Sequence, residues 1–259
     1  MPRQLKPPHP APDEPRLARV AAQIAEPSRA RMLSYLLSGE YASAGELAEA
    51  ASVTPATASG HLAKLLDAGF VACEQRGRHR YYRLADAEIA HALEALALVA
   101  ERGTHERAWS SPQRSRLRDA RCCYGHLAGA LGVGLLDTML RRGWLQPGLS
   151  GYALTVAGAA WLDQIGMDGP AWLAHADGSA SRRTAYACLD WSERRDHLAG
   201  RLAHALLDHF MSRRWLRRRP GERALDITPG GRVALQAVMQ GTSSAQASSI
   251  AAQSRGEPL

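Results

Sequence analysis

Apolar residues recur at helical spacing along most of the chain, and the breaks between them define the elements. The spacing predicts a first helix at Arg16–Glu26, closed by Pro27, and a second at Ser28–Leu37 with Met32, Leu33, Leu36 and Leu37 facing inward. Ser43 and Glu46 stand at capping-box spacing ahead of a third helix whose Leu47 and Ala51 share a face. After a short turn at Ser52-Val53, Thr54 is placed to cap a fourth helix and Pro55 occupies its first position, where a missing N–H costs nothing. Leu62, Leu65 and Leu66 form the buried stripe of that helix, and Gly69 ends it. Phe70 to Cys73 then starts a strand, and Gly77-Arg78 forms a hairpin tip between CEQR and HRYYRL. Cys73 is expected in the core. A long helix at Asp86–Arg102 comes next, with Ile89, Leu93, Leu96, Leu98 and Val99 making an apolar face wider than one small domain needs. Helix, tight turn, helix and basic hairpin come in the order of a winged helix-turn-helix.

The polar side of the fourth helix carries Thr57, Ser59, His61 and Lys64, short polar groups and one cation suited to base edges and phosphates. The hairpin carries Arg76, Arg78, His79, Arg80 and Arg83, a basic wing suited to phosphate or minor-groove contact. Double-stranded operator DNA is the partner this predicts, and the surplus apolar face predicts a homodimer.

Beyond residue 117 the sequence repeats itself. HLAGALGVGLLDTMLRRGWL from His126 and HLAGRLAHALLDHFMSRRWL from His197 agree at eleven of twenty positions. A second matched piece stands after each: Leu154-Thr155 with Gly158 and Leu162, and Ile227-Thr228 with Gly231 and Leu235. Each copy reads as helix, strand, turn, strand and short helix, a unit too small to close its own core, so the copies are expected to pack on each other. The fold class is therefore mainly α with short β-hairpins: an N-terminal winged helix-turn-helix plus a C-terminal tandem repeat of helix–hairpin–helix, winged-helix-like units. The boundaries are a disordered tail at 1–15, a DNA-binding and dimerisation domain at 16–103, a linker at 104–117, and a sensor domain at 118–240. Its repeats lie at about 119–168 and 188–240, and a disordered tail occupies 241–259.

Composition narrows the class. The net charge is +7, and a run of arginines at 213–219 reads either as a solvated face or as further DNA contact. No 18-residue apolar run predicts a membrane span, the N-terminus lacks the apolar segment of a signal peptide, and four cysteines do not make a disulfide framework. The cytoplasm is the expected location. No phosphate loop, nucleophile elbow or HExxH motif is present, so an enzyme is not expected.

Residues 16–102 resemble the ArsR-type family of small bacterial winged-helix repressors, through EPSRARMLSYLL, GELAEAASVTPATASGHLAKLLDAGFV and EQRGRHRYYRLADAEI. The resemblance implies a homodimer on an operator, with repression relieved by an effector. It places Thr54, Thr57, Ser59, His61 and Lys64 against DNA, Arg76, Arg78 and Arg80 in the wing, and the helices at 16–26 and 86–102 in the dimer. The metal positions of that family are not matched. Glu46-Leu47-Ala48-Glu49-Ala50 stands where cysteines are needed, Asp86-Ala87-Glu88 lacks a histidine, and His91 is out of register.

The chemistry of a sensor is concentrated in the repeats. With Asp119 as cap, Cys122, Cys123 and His126 are expected in the first turns of a helix, where its N-terminus and Arg116, Arg118 and Arg121 favour thiolate. Cys188 precedes the equivalent helix and His197 lies in its second turn. If the repeats pack by a twofold, these five residues meet in a soft thiolate–imidazole site for a metal or metalloid, or in a redox pair. Three readings stay open: plain core packing, a thiol or metal sensor, and an organic-ligand pocket at the junction near Trp144 and Trp215. The sequence specifies no cofactor and no particular metal. The rival functions are a thiol- or metal-dependent enzyme with an accessory DNA-binding domain, and a C-terminal half that only dimerises or binds a protein.

Overall fold

The computed structural model describes residues 17–102, 111–167, 184–219 and 222–241. The expected disordered tails, apart from Gly241, and residues 104–110 of the expected linker lie outside them. Three caps set the start of the winged helix, two of them, Ser43 and Thr54, as the sequence suggests and one, Glu26, not foreseen. Glu26 accepts the Ser28 and Arg29 amides at the head of α2 (Pro27–Leu36), which comes after α1 (Leu17–Ile24). Ser43 and Glu46 form a complete capping box on α3 (Ala44–Ala51), and Thr54 caps α4 (Pro55–Asp67). Ser52 adopts the left-handed conformation between α3 and α4, so the turn closes in two residues. Strands β2 (Val71–Arg76) and β3 (His79–Leu84) form the wing, and β1 (Ala42–Ser43) pairs with the other edge of β3. Met32, Leu33, Leu36, Leu47, Leu62 and Leu65 fill the core beneath. Cys73 is exposed rather than buried: it shares a face with Val71, but from this position to Arg76 every residue of β2 is exposed, as the strand runs out past the core.

The long helix α5 (Ala87–Ala100) leads toward the C-terminal half. Part of the expected linker is helical: Ser111 caps α6 (Pro112–Asp119). Asp119 therefore ends a helix instead of starting one. Directly after it the chain forms a hairpin, β4 (Arg121–Cys123) and β5 (His126–Ala128), turned by Tyr124 and Gly125, both at positive φ. Two consecutive positive-φ residues are the geometry of a tight two-residue hairpin turn and cannot continue a helix. Gly129, at φ +83, swings the chain into α7 (Ala130–Arg141). A Cβ there would stand 2.6 Å from the Arg118 carbonyl oxygen, so the position needs glycine twice over. The hairpin β6 (Leu145–Gly148) and β7 (Gly151–Leu154) and the helix α8 (Val156–Gln164) complete this part.

The second part has the same order: hairpin β8 (Tyr186–Leu189) and β9 (Asp196–Ala199), α9 (Arg201–Ser212), hairpin β10 (Leu216–Arg218) and β11 (Leu225–Ile227), and α10 (Pro229–Met239). Corresponding positions do the same work. Thr155 and Thr228 each accept an amide, from Gly158 and Gly231, and each donates to the carbonyl beside its tryptophan, Trp144 or Trp215. Helix α7 packs on β9 and α9 packs on β5, while β5 and β9 lie side by side. One apolar cluster runs through both parts, with Trp144 stacked on Trp161 at 4.3 Å and Phe210 against Trp215.

The winged helix is bolted to this body. Ser38 O accepts the Cys122 thiol at 2.9 Å, Leu37 O accepts the Tyr124 amide, and Arg218 reaches Glu40 at 3.1 Å. Deeper in, Glu94 of α5 is buried against Arg223 and lies 3.7 Å from Arg121. Among the described residues no helix is long and apolar enough to cross a membrane.

Candidate metal centre and nucleic-acid interface

The residues expected to face DNA begin with α4. Thr54, Thr57, Ser59 and Lys64 are exposed along it, with Thr54 and Thr57 joined at the cap and the Ser59 hydroxyl donating to Pro55 O at 2.9 Å. His61 differs: it is half-buried and its Nδ1 lies 3.6 Å from Glu26, the cap of α2. On the wing, Arg76 is held by Glu74 at 3.0 Å and stacks over Tyr41 at 4.4 Å. Arg78 stands exposed at the tip beside Gly77, and Arg80 is exposed on β3. The arginines at 213–219 are partly committed within the chain, Arg218 to Glu40 and Arg219 to Asp226.

The sensor residues are strand residues, not helix residues. Cys123 faces His126 across the β4–β5 hairpin, and Cys188 faces His197 across β8–β9. Because β5 and β9 are neighbours, the two pairs meet. The ligand atoms of Cys123, His126, Cys188 and His197 all lie within 4.8 Å of one another, and all four residues are buried. The Nε2 atoms of His126 and His197 are 3.1 Å apart. Cys122 is not part of this group. Alternation along β4 sends its side chain to the opposite face, onto Ser38 O of the winged helix. No helix N-terminus touches these thiols, and burial pushes the Cys122 thiol up rather than down.

Within the group the protonation states are divided. The Cys123 thiol and the imidazoles of His126, His197 and His91 around Cys188 hold its thiol far below the ordinary range against the opposing effect of burial. Cys123, the donor to that thiolate and itself enclosed, is held well above its usual value. Burial takes His126 down to about 4. Burial works on His197 in the same sense, but Asp190 and the Cys188 thiolate outweigh it and carry the imidazole up to about 9.

Asp190 is the hub behind the ligands. Its Oδ2 stands 3.2 Å from His197 Nδ1 and accepts the Gly129 amide at 2.7 Å. Its Oδ1 meets Arg121 at 2.9 Å and accepts from Ser192 and the Glu193 amide. Arg121 lies over Trp191 at 4.6 Å and has no exposed surface. A carboxylate on the far nitrogen of a ligating histidine fixes the ring and its tautomer. Sequence reasoning missed Asp190 in this role; its signal was the capping-box-like spacing to Glu193, whose amide Asp190 does accept, though in the loop between β8 and β9 and not at a helix start. His91, on α5, was also missed, although it borders the cleft beside the group and meets the Tyr186 ring edge-on at 5.7 Å, and Cys188 raises its imidazole. A cleft of about 780 Å³ bordered by His91, His126, Tyr186 and His204 opens beside the group.

A soft ion fits these four donors. Tetrahedral zinc with sulfur at about 2.3 Å and nitrogen at about 2.0–2.1 Å sets its ligand atoms roughly 3.3–3.8 Å from each other. A spread of at most 4.8 Å closes to that with small side-chain movements.

Residues 24–74 match the family model of a helix-turn-helix domain. The chain is 37% identical over 224 residues to YdfF of Bacillus subtilis, an HTH-type transcriptional regulator, covering 86% of this chain and 96% of that protein. It is 34% identical over 73 residues to a probable mercury resistance operon repressor of Streptomyces lividans, covering 28% of this chain and 58% of that protein. Among solved structures, the homodimeric winged helix-turn-helix domain of Mb0332 from Mycobacterium bovis, a possible ArsR-family regulator, is 27% identical. It covers 34% of this chain and 82% of that one, with a TM-score of 0.32.

Proposed function

The chain belongs to the HTH-type transcriptional regulators, and on that premise we propose that it is a cytoplasmic, homodimeric repressor of the ArsR type, released by a soft metal ion bound at Cys123, His126, Cys188 and His197. The convergence of two thiols and two imidazoles within 4.8 Å carries this reading. Two thiolates and two imidazoles select a thiophilic ion of the zinc or cadmium kind over magnesium or calcium, which take oxygen ligands. The duplicated C-terminal unit is the frame that holds the two Cys–His hairpins together.

The winged helix supplies the output. Thr54, Thr57, Ser59 and Lys64 face the major groove from α4, and Arg78 and Arg80 meet phosphates from the wing. His61 gives readout only if it leaves Glu26. The dimer forms through α1 and α5, where Leu17, Val20, Leu96 and Val99 are exposed. Repression is favoured by the likeness to a resistance-operon repressor.

A disulfide between Cys123 and Cys188 is the second reading, since a thiol there donates to a thiolate. Burial weighs against it, because redox-sensing cysteines are accessible to their oxidant. The test is cobalt(II) or cadmium(II) titration of reduced, metal-free protein. One ion per chain with thiolate charge-transfer absorption supports the reading; no binding in the reduced protein and a reversible disulfide on oxidation would replace it with the second.

A further inference from the structure

All four donors of the candidate metal site are buried, so an ion needs a way in. The cleft beside them offers one, and of the four donors His126 alone lines it. Two walls of the cleft are helices, and each carries a carboxylate and an imidazole at helical spacing. On α5 these are Glu88 and His91, three positions apart; on α9 they are His204 and Asp208, four apart. Glu88, His204 and Asp208 are exposed and His91 is half-buried. Arg201 is the one arginine or lysine among the lining residues, so the carboxylates outnumber it. From the cleft the imidazoles continue inward in a row. Ring centre to ring centre, His204 stands 5.8 Å from His126, and His126 stands 5.1 Å from His197. Gly125 leaves room for the outermost ring, since a Cβ there would lie 2.7 Å from His204 Cε1.

We propose that this cleft is the entry path of the metal ion, and that His204 and Asp208 form a transfer point where a divalent cation is first held and then passed to His126. This rests on the metal-sensing reading. Glu88 and Asp208 raise the local concentration of a cation in a concave mouth whose walls are low in dielectric constant. On successive turns of α9, His204 and Asp208 present one nitrogen and one carboxylate to an ion that still carries much of its water. His204 lies outside the four-donor group, and a tetrahedral ion closed by two sulfurs and two imidazoles has no position left for it. It therefore sets the rate of filling and leaves the affinity of the filled site alone. Entry and exit follow one path, so it changes both rates alike.

The test mixes the reduced, metal-free full chain with cadmium(II) alone in a stopped-flow instrument and follows thiolate charge-transfer absorption. His204→Ala is expected to lower the second-order rate constant by about tenfold. It is expected to reach the wild-type absorption at equilibrium and to keep the wild-type affinity. Stripping of the loaded protein, at chelator concentrations where the rate no longer depends on the chelator, is then expected to slow by the same factor. Asp208→Asn is expected to lower the loading rate as well and to weaken its fall with ionic strength. Both side chains are exposed, so neither substitution opens the core. Wild-type rates of loading and stripping in His204→Ala overturn the proposal. Slower loading paired with faster stripping also overturns it, because His204 would then support the filled site. If wild type shows no cadmium–thiolate absorption, the metal-sensing reading falls and the entry path with it.

Discussion

The Nε2 atoms of His126 and His197 meet at 3.1 Å although the residues are 71 positions apart, which is the offset of the repeated HLAG segments. They are the same position of the two copies, brought face to face. The cysteines are equivalent as well, yet sequence offset hides it. Cys123 precedes its histidine by three positions and Cys188 by nine, because the second hairpin carries a longer loop. The candidate site is one Cys–His cross-strand pair, used twice.

The cysteines should therefore separate cleanly. Cys123→Ser and Cys188→Ser are expected to abolish cadmium–thiolate absorption at stoichiometric metal. Cys122→Ser is expected to leave it unchanged, since that thiol points at Ser38 O. Absorption titrations of the three variants check this, and loss of binding in Cys122→Ser would mean the β4 register is wrong.

Asp190 and Glu94 should fail differently. Asp190→Asn removes the carboxylate behind His197 and is expected to weaken metal affinity by about 10–100-fold, read by competition with a chromophoric chelator. Glu94→Gln leaves Arg121 and Arg223 buried without their shared carboxylate. It is expected to cost about 3–5 kcal/mol of stability in denaturant unfolding.

The outer side of α5 should hold the dimer. Leu96→Glu is expected to give monomers in sedimentation at micromolar concentration and to lower operator affinity. A wild-type protein that is monomeric under the same conditions would remove the dimer from the account.

On the wing, Arg78 and Arg76 should not be equal. Each phosphate neutralised adds about 0.9 to the slope of log affinity against log salt. Arg78→Ala is expected to lower the slope by about that much per wing if Arg78 meets one phosphate. Arg76→Ala is expected to change it less, because Glu74 and Tyr41 already hold that guanidinium. Equal effects would show that Arg76 leaves Glu74 on binding.

The winged helix was legible because its signals are local. A capping box at Ser43, Thr54-Pro55 and the Gly77 tip each declare themselves within a few residues, and the helices end within two or three positions of the expected bounds. The exceptions are contacts made at a distance, such as His61 turning to Glu26. In the C-terminal half the meeting of Cys123, His126, Cys188 and His197 was expected, but with Cys122 among them and with all except Cys188 on helices. The run of arginines, cysteines and HLAG has a helical look, yet Tyr124-Gly125 and Gly129 interrupt it with positive φ. Gly125 was the available turn signal. The network of Asp190, Arg121 and Glu94 was not legible, because a buried charge network is assembled from separate elements and leaves no periodic mark.

The central claim is that a soft ion at the two hairpins controls DNA binding, and one comparison tests it most directly. Duplex affinity is measured by fluorescence anisotropy for reduced wild type and for Cys188→Ser, each with and without stoichiometric cadmium(II). The account predicts that cadmium weakens wild-type binding by about 5–150-fold and leaves Cys188→Ser unmoved. Wild-type affinity indifferent to the ion, or a Cys188→Ser protein that responds as wild type does, would contradict it.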